Sequence, residues 1–196
     1  MGRFRRFCGD GRGSTAVEFA IVAVPFLGLL AALFETALVM FATSGVEAAV
    51  GDAARLVMTG QAQTYTTSTA FRDATICSPT AHARILPSFI DCSKLMVDVR
   101  PAGTSGSTSF SSADTTRDFT LAAAQTYCPG APGDIVVVRA AYPMPVYFSI
   151  IIATQLAASG TLTSGLTSWN GGYVHMILGT SAFRNEAYTQ TANAGC

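Results

Sequence analysis

Charge is scarce in this sequence. Only 12% of its 196 residues are Asp, Glu, Lys or Arg, and the formal net charge is zero; a typical globular chain carries about a quarter. So balanced a chain has no global attraction for nucleic acid, and its tyrosines and phenylalanines stand without a basic patch beside them. Catalytic motifs are missing as well. There is no Gly-x-Ser-x-Gly elbow, no phosphate-binding loop and no zinc-protease helix. Gly103-Thr-Ser-Gly-Ser107 reads as flexible loop, since no lysine follows it and no helix opens there. The two histidines, His82 and His175, lie near no obvious Asp/Ser or Cys/Glu constellation. These absences argue against an enzyme, a cofactor, a metal or a small-molecule substrate.

What is abundant is apolar, 49% of the chain, and it is unevenly placed. Residues 1–13 hold Arg3, Arg5, Arg6 and Arg12 against one acid, Asp10. From Ser14 to Val46 the only charges are Glu18 and Glu35, and none stands between Phe19 and Phe34. A basic head before a long apolar run is a membrane-targeting layout, in which the basic side stays cytoplasmic and the chain beyond the run is exported. Glu18 and Glu35 are separated by about 26 Å of helix at ~1.5 Å per residue, against a hydrocarbon layer of about 30 Å. Both acids fit near opposite interfaces; equally, Glu35 fits a paired site inside a helix bundle, because an acid in lipid needs a partner. Pro25 removes one backbone hydrogen bond and is tolerated in membrane helices.

The helix is predicted to outlast the membrane. Val46, Ala49, Val50, Ala53, Ala54 and Val57 recur on one face, the pattern of a helix packed against a soluble partner. Glu47, Gly51 and Arg55 mark the opposite face, and Gly60 is a stop signal. The expectation is one helix of roughly 45 residues, residues 14–60, with its membrane part at about 16–41. Residues 61–196 then form an exported domain.

In that domain, 61–70 reads as a polar connector and 80–86 as a short helix. Lys94–Arg100 alternates as a half-buried strand, with Leu95, Val97 and Val99 inward. Asp118–Ala122 is a weak strand. Ile135–Tyr142 is the strongest, β-branched on both faces and hence central, with Pro143 and Pro145 ending it. Val146–Ala158 is apolar but too short for a second span. Residues 159–172 read as loop, and His175–Phe183 as the last strand. The fold class is α+β: a long N-terminal transmembrane and amphipathic helix, then a small antiparallel sheet of three or four strands.

Cys77, Cys92, Cys128 and Cys196 fall in the exported part, and their even number suits two disulfides. Four cysteines allow three pairings. The short local loop favours Cys77–Cys92, whose closure contributes about 3 kcal/mol in the loop-entropy model; Cys128–Cys196 follows by elimination. The rival is a metal site from Cys77, His82 and Cys92, which matches no standard finger spacing and lacks a fourth ligand.

Glu18 gains a role if the chain is cut after Gly13. Ser14 then carries a positive α-amino group, and Glu18 lies four residues on, on the same helix face. Between neighbouring helices the carboxylate of one can pair with the amine of the next, offsetting burial and setting the stagger. Gly13-Ser-Thr-Ala-Val-Glu18-Phe19, preceded by arginines and followed by an apolar run, resembles the type IV prepilin processing signal. With Pro25, Leu29, Leu30 and Glu35 it resembles the TadE-like pseudopilins of the Tad/Flp tight-adherence pilus system. Arg55 followed by Thr59-Gly60-Gln61, Gly133–Arg139 and Phe183-Arg-Asn-Glu186 are also similar to that family.

The resemblance implies a leader at 1–13, removed after Gly13 by a membrane-embedded prepilin peptidase. It implies a minor pseudopilin in the inner membrane, with its domain in the periplasm, acting in pilus biogenesis, adhesion or secretion. Its partners would be that peptidase, other Tad/Flp pilins, the inner-membrane platform and lipid. Ser14 departs from the Phe or Met common at the first mature position. Three other readings compete: an uncleaved single-pass anchor displaying a periplasmic binding domain, a secreted protein cut near Ala48 or Ala49, and an envelope enzyme using His82 or His175.

Overall fold

The computed structural model describes residues 14–78, 86–102, 125–147, 166–170 and 172–189. Helix α1 runs Ser14–Met58, 45 residues, uninterrupted at Pro25. It has the length that the apolar run and the adjoining stripe predict when joined. Val46, Val50, Ala53 and Val57 are essentially inaccessible, with Ala49 and Ala54 beside them, while Glu47 and Arg55 face out. The helix stops where Thr59 and Gly60 turn their N–H groups back to the carbonyls of Arg55 and Val57. Gly60 sits at φ 77°, in the left-handed region, and a Cβ there would lie 2.5 Å from the Tyr188 ring. Only glycine satisfies both conditions.

The stretch 61–70, expected as a polar connector, is structured and partly buried. It forms a tight turn at Gln61–Thr64 and a short helix α2 at Ser68–Phe71, which widens into a π turn at Arg72–Ile76. The Thr67 hydroxyl caps α2 by accepting from Ala70 N at 3.1 Å. Ala62, Gln63 and Ser68 are buried; Gln63 Nε2 donates to the Gly130 carbonyl oxygen and the Ala62 carbonyl oxygen accepts from Tyr127, while Gln63 Oε1 has no partner among the described residues.

Among the described residues four antiparallel strands follow: β1 Met96–Pro101, β2 Ile135–Pro145, β3 Thr167–Trp169 and β4 Gly172–Arg184, in spatial order β1-β2-β4-β3. The fold is α+β, with β2 inside the sheet as its two-faced apolar pattern predicts. Alternate residues Val136, Val138, Ala140, Tyr142 and Met144 face α1 together with Val97, Val99 and Ile177. At Gly179 a Cβ would lie 3.0 Å from Val46 Cγ1 and 3.2 Å from the Val46 carbonyl oxygen, so the missing side chain lets α1 lie close against β4. Each fully buried valine in this layer contributes about 1.5–3 kcal/mol of transfer free energy.

Several boundaries differ from expectation. Lys94 belongs to a turn, Cys92–Lys94, capped by the Asp91 carboxylate, and β1 starts only at Met96. The outward face of β1 is not solvated: Asp98 is 2% exposed, because the backbone N–H of Thr126 and the Arg100 side chain both donate to it. Pro143 and Pro145 do not end β2. Beyond Ala141, which pairs with Met96, β2 has a strand partner only on its β4 side, so a missing N–H is tolerated there. The expected loop at 159–172 contains β3, and β4 starts at Gly172 rather than His175. The expected helix at 80–86 apart from Leu86, the weak strand at 118–122 and nearly all of 146–158 lie outside the described residues.

Candidate functional site

Two features of α1 bear on function: an uncovered apolar part that runs to Phe41 and a buried acid, Glu35, within it. From Val17 to Phe41 most large side chains face outward, with Phe19 at 74% exposure and Leu30 and Val39 half-buried. No part of the most apolar window of this helix is buried within the chain. Water is an unfavourable environment for so much contiguous apolar surface, and the length suits a bilayer. Glu18 lies on this exposed part, and Pro25 is exposed within it. Ser14 opens the helix, while Gly13 and the basic head lie outside the described residues.

Glu35 behaves differently. It is 5% exposed, between an exposed Phe34 and an exposed Thr36. The backbone N–H of Tyr147, just past β2, donates to Glu35 Oε1 at 3.2 Å, and His175 Nε2 of β4 lies 3.8 Å from the same oxygen. The acid therefore meets partners from its own domain, which neither the interfacial nor the inter-helix reading anticipated. His175, read as lone, belongs to this cluster: Met144 pairs with His175 in the sheet register, and both lie on the face toward α1. The sequence carried no signal for this contact, since residues 35, 147 and 175 meet only through the sheet.

The far end of α1 is closed by a second polar cluster. Glu186 N donates to the Met58 carbonyl oxygen at 3.0 Å, satisfying one open helix acceptor. Asn185 Nδ2 donates to the carbonyl oxygens of Pro129 (2.8 Å) and Ala131 (3.0 Å), tying down the Pro-Gly turn before β2. Gln63 Nε2 donates to the Tyr188 hydroxyl at 2.7 Å and to the Gly130 carbonyl at 3.1 Å. Burial pushes the Tyr188 phenol above its ordinary pKa; it does the same at Tyr127, whose hydroxyl donates to the Ala62 carbonyl oxygen. The Phe183–Glu186 and Gly133–Arg139 motifs thus meet in one structural lock.

Cys77 and Cys92 form a disulfide with Cα atoms 6.1 Å apart. Bonded to each other, they have no thiolates to offer, and the metal alternative with His82 falls; His82 itself lies outside the described residues. Cys128 is also disulfide-bonded. Cys196, assigned to it by elimination, lies outside the described residues. Among the described residues no group of three or more His, Cys, Asp or Glu is placed to hold a metal.

An exposed apolar helix, compatible with a single-pass membrane anchor, leads into a disulfide-bonded α+β head. Residues 13–55 match the family model described as TadE-like protein. The match covers the helix and stops short of the head domain, so over this segment the chain is similar to the TadE-like family. No curated protein and no solved structure matches the chain.

Proposed function

We propose that this chain is a minor pseudopilin of the Tad/Flp machinery, cut after Gly13 by a prepilin peptidase and acting structurally rather than as an enzyme. The observation that carries the reading is the uncovered apolar helix beginning at Ser14, in the segment that matches the TadE-like family. A peptidase cutting at residue 13 would leave a mature chain that begins with that helix. Glu18 would then lie four residues from the new α-amino group, available to pair with a neighbouring subunit's terminus and set stagger. The basic head favours a cytoplasmic leader and a periplasmic head domain in the inner membrane. A head of this bulk suits an initiating, capping or accessory subunit better than the pilus shaft.

The test is the N-terminal residue of the membrane-fraction protein, read by intact mass from cells with and without their prepilin peptidase. A peptidase-dependent start at Ser14 is the expected result. An intact Met1 start in both strains would favour instead an uncleaved single-pass anchor displaying a binding domain.

A further inference from the structure

The Glu35 clasp sets how far the head stands from a membrane. On α1, the twenty residues from Thr15 to Phe34 that precede Glu35 rise about 30 Å at ~1.5 Å per residue, and exposed apolar side chains continue past Glu35 at Leu38, Met40 and Phe41. The hydrocarbon layer is also about 30 Å. If α1 spans the bilayer, as proposed above, Glu35 sits at the outer boundary. The residues that cover it sit there too, with no spare helix to hold the head away from lipid.

The head carries exposed aromatics at this same end. β2 finishes at Pro145, opposite Val174 near the start of β4, so Tyr147 and Tyr173 flank the end of the sheet that reaches Glu35. Their exposures are 58% and 42%. Phe89, also exposed, rests against Phe41 of α1 with ring centroids 6.2 Å apart, about 9 Å further along the helix than Glu35 and so on the outer side of the same rim. Three large rings on one rim are costly in water. Tyr147 and Tyr173 add hydroxyls suited to a boundary between apolar and wet surroundings.

We infer that this rim, Phe89, Tyr147 and Tyr173, seats in the phospholipid headgroup layer of the bilayer that α1 crosses, with the Glu35–Tyr147–His175 clasp holding it at that depth. The occupant is lipid because the rim is continuous with the apolar helix and lies one bilayer thickness from the helix start. The inference rests on the membrane-spanning reading of α1.

Trp169 is the chain's one tryptophan and pairs with Gly172 beside this rim. The full chain is reconstituted into vesicles of phosphatidylethanolamine and phosphatidylglycerol. Flotation is scored first. Trp169 emission is then quenched by lipid spin-labelled at the headgroup, by lipid brominated deep in the acyl chain, or by acrylamide from water. The expected result is headgroup quenching at least twofold above deep-chain quenching, lowered by F89S/Y147S/Y173S with flotation unchanged. A second variant reads the rim directly: Tyr147→Trp in a Trp169→Phe background should show the same depth order. Intact flotation with quenching by acrylamide alone overturns the inference and leaves the spanning reading standing. So does protection from every quencher that grows with protein density, which would assign the rim to a second copy. Loss of flotation overturns both readings.

Discussion

At the scale of single residues, the molecule depends on a few side chains that join distant parts of the sequence. Asn185 is one of them: its amide donates to two carbonyls of the turn before β2 and to the Tyr188 hydroxyl at 3.0 Å. Asn185→Ala should strand those buried acceptors and lower the unfolding free energy by about 3 kcal/mol, measured by urea denaturation of the full chain in detergent. Tyr127 and Tyr188 give a pH dependence of definite sign. Burial raises both phenols above the ordinary value of 10.0. Above that value the unfolded chain has lost protons that the folded chain still holds, so unfolding releases protons and stability falls as pH rises. The contribution is full below pH 10 and shrinks above it. Melting temperature should therefore drop more steeply above pH 10 for the wild type than for Tyr127→Phe.

At the scale of elements, the contact that organises the domain is α1 against β4 and β2. Gly179 permits it, and a larger side chain there has nowhere to go: Val46 and Val50 already stand 3.0–3.2 Å from where a Cβ would be. Gly179→Leu should push helix and sheet apart and cost about 1–3 kcal/mol or more, seen as a lower urea midpoint with α1 helicity retained by circular dichroism. The disulfide joins the π turn to the turn before β1. Replacing both Cys77 and Cys92 by Ser should remove about 3 kcal/mol if the closed loop acts through the unfolded chain. An unchanged melt would mean that the fold around α2 holds these turns by itself. These elements were only partly legible beforehand. The outer half of α1 and the inward residues of β1 follow a strict apolar period, and the structure places them as that period requires. β3 was missed because three residues in a Gly/Ser/Thr-rich stretch carry no period to detect; β4 supplies its pairing.

At the scale of the whole molecule, the proposed pseudopilin role makes two mutations diagnostic. Gly13→Ala should leave the full-length precursor in the membrane, visible as a mass that still contains the arginine head. Glu18→Ala should still be processed, since the peptidase chiefly needs the glycine, yet should fail to assemble. Normal piliation in that variant would sink the pairing argument. Glu35 stands apart from Glu18 here. Its carboxylate is occupied by Tyr147 and His175 of the same chain, so its substitution should loosen the head on its anchor rather than break contact with a neighbour.

What the sequence determined by itself was everything carried by local pattern. The long charge-free run, the one-faced stripe after it, the stop at Gly60 and the β-branched run of β2 each express a periodicity or a backbone preference within a few turns of chain. The short-loop disulfide belongs with them, because closing a loop of sequence separation 15 needs little of the tertiary fold. What only the tertiary structure decided was the fate of the polar residues. Asp98, Gln63 and Asn185 look like surface residues in sequence and Glu35 like a residue of the membrane boundary or of a helix bundle, and all four are buried within the chain. Their partners come from across the sheet or around the end of the helix and offset the cost of burial, although Gln63 Oε1 and Asn185 Oδ1 have none among the described residues.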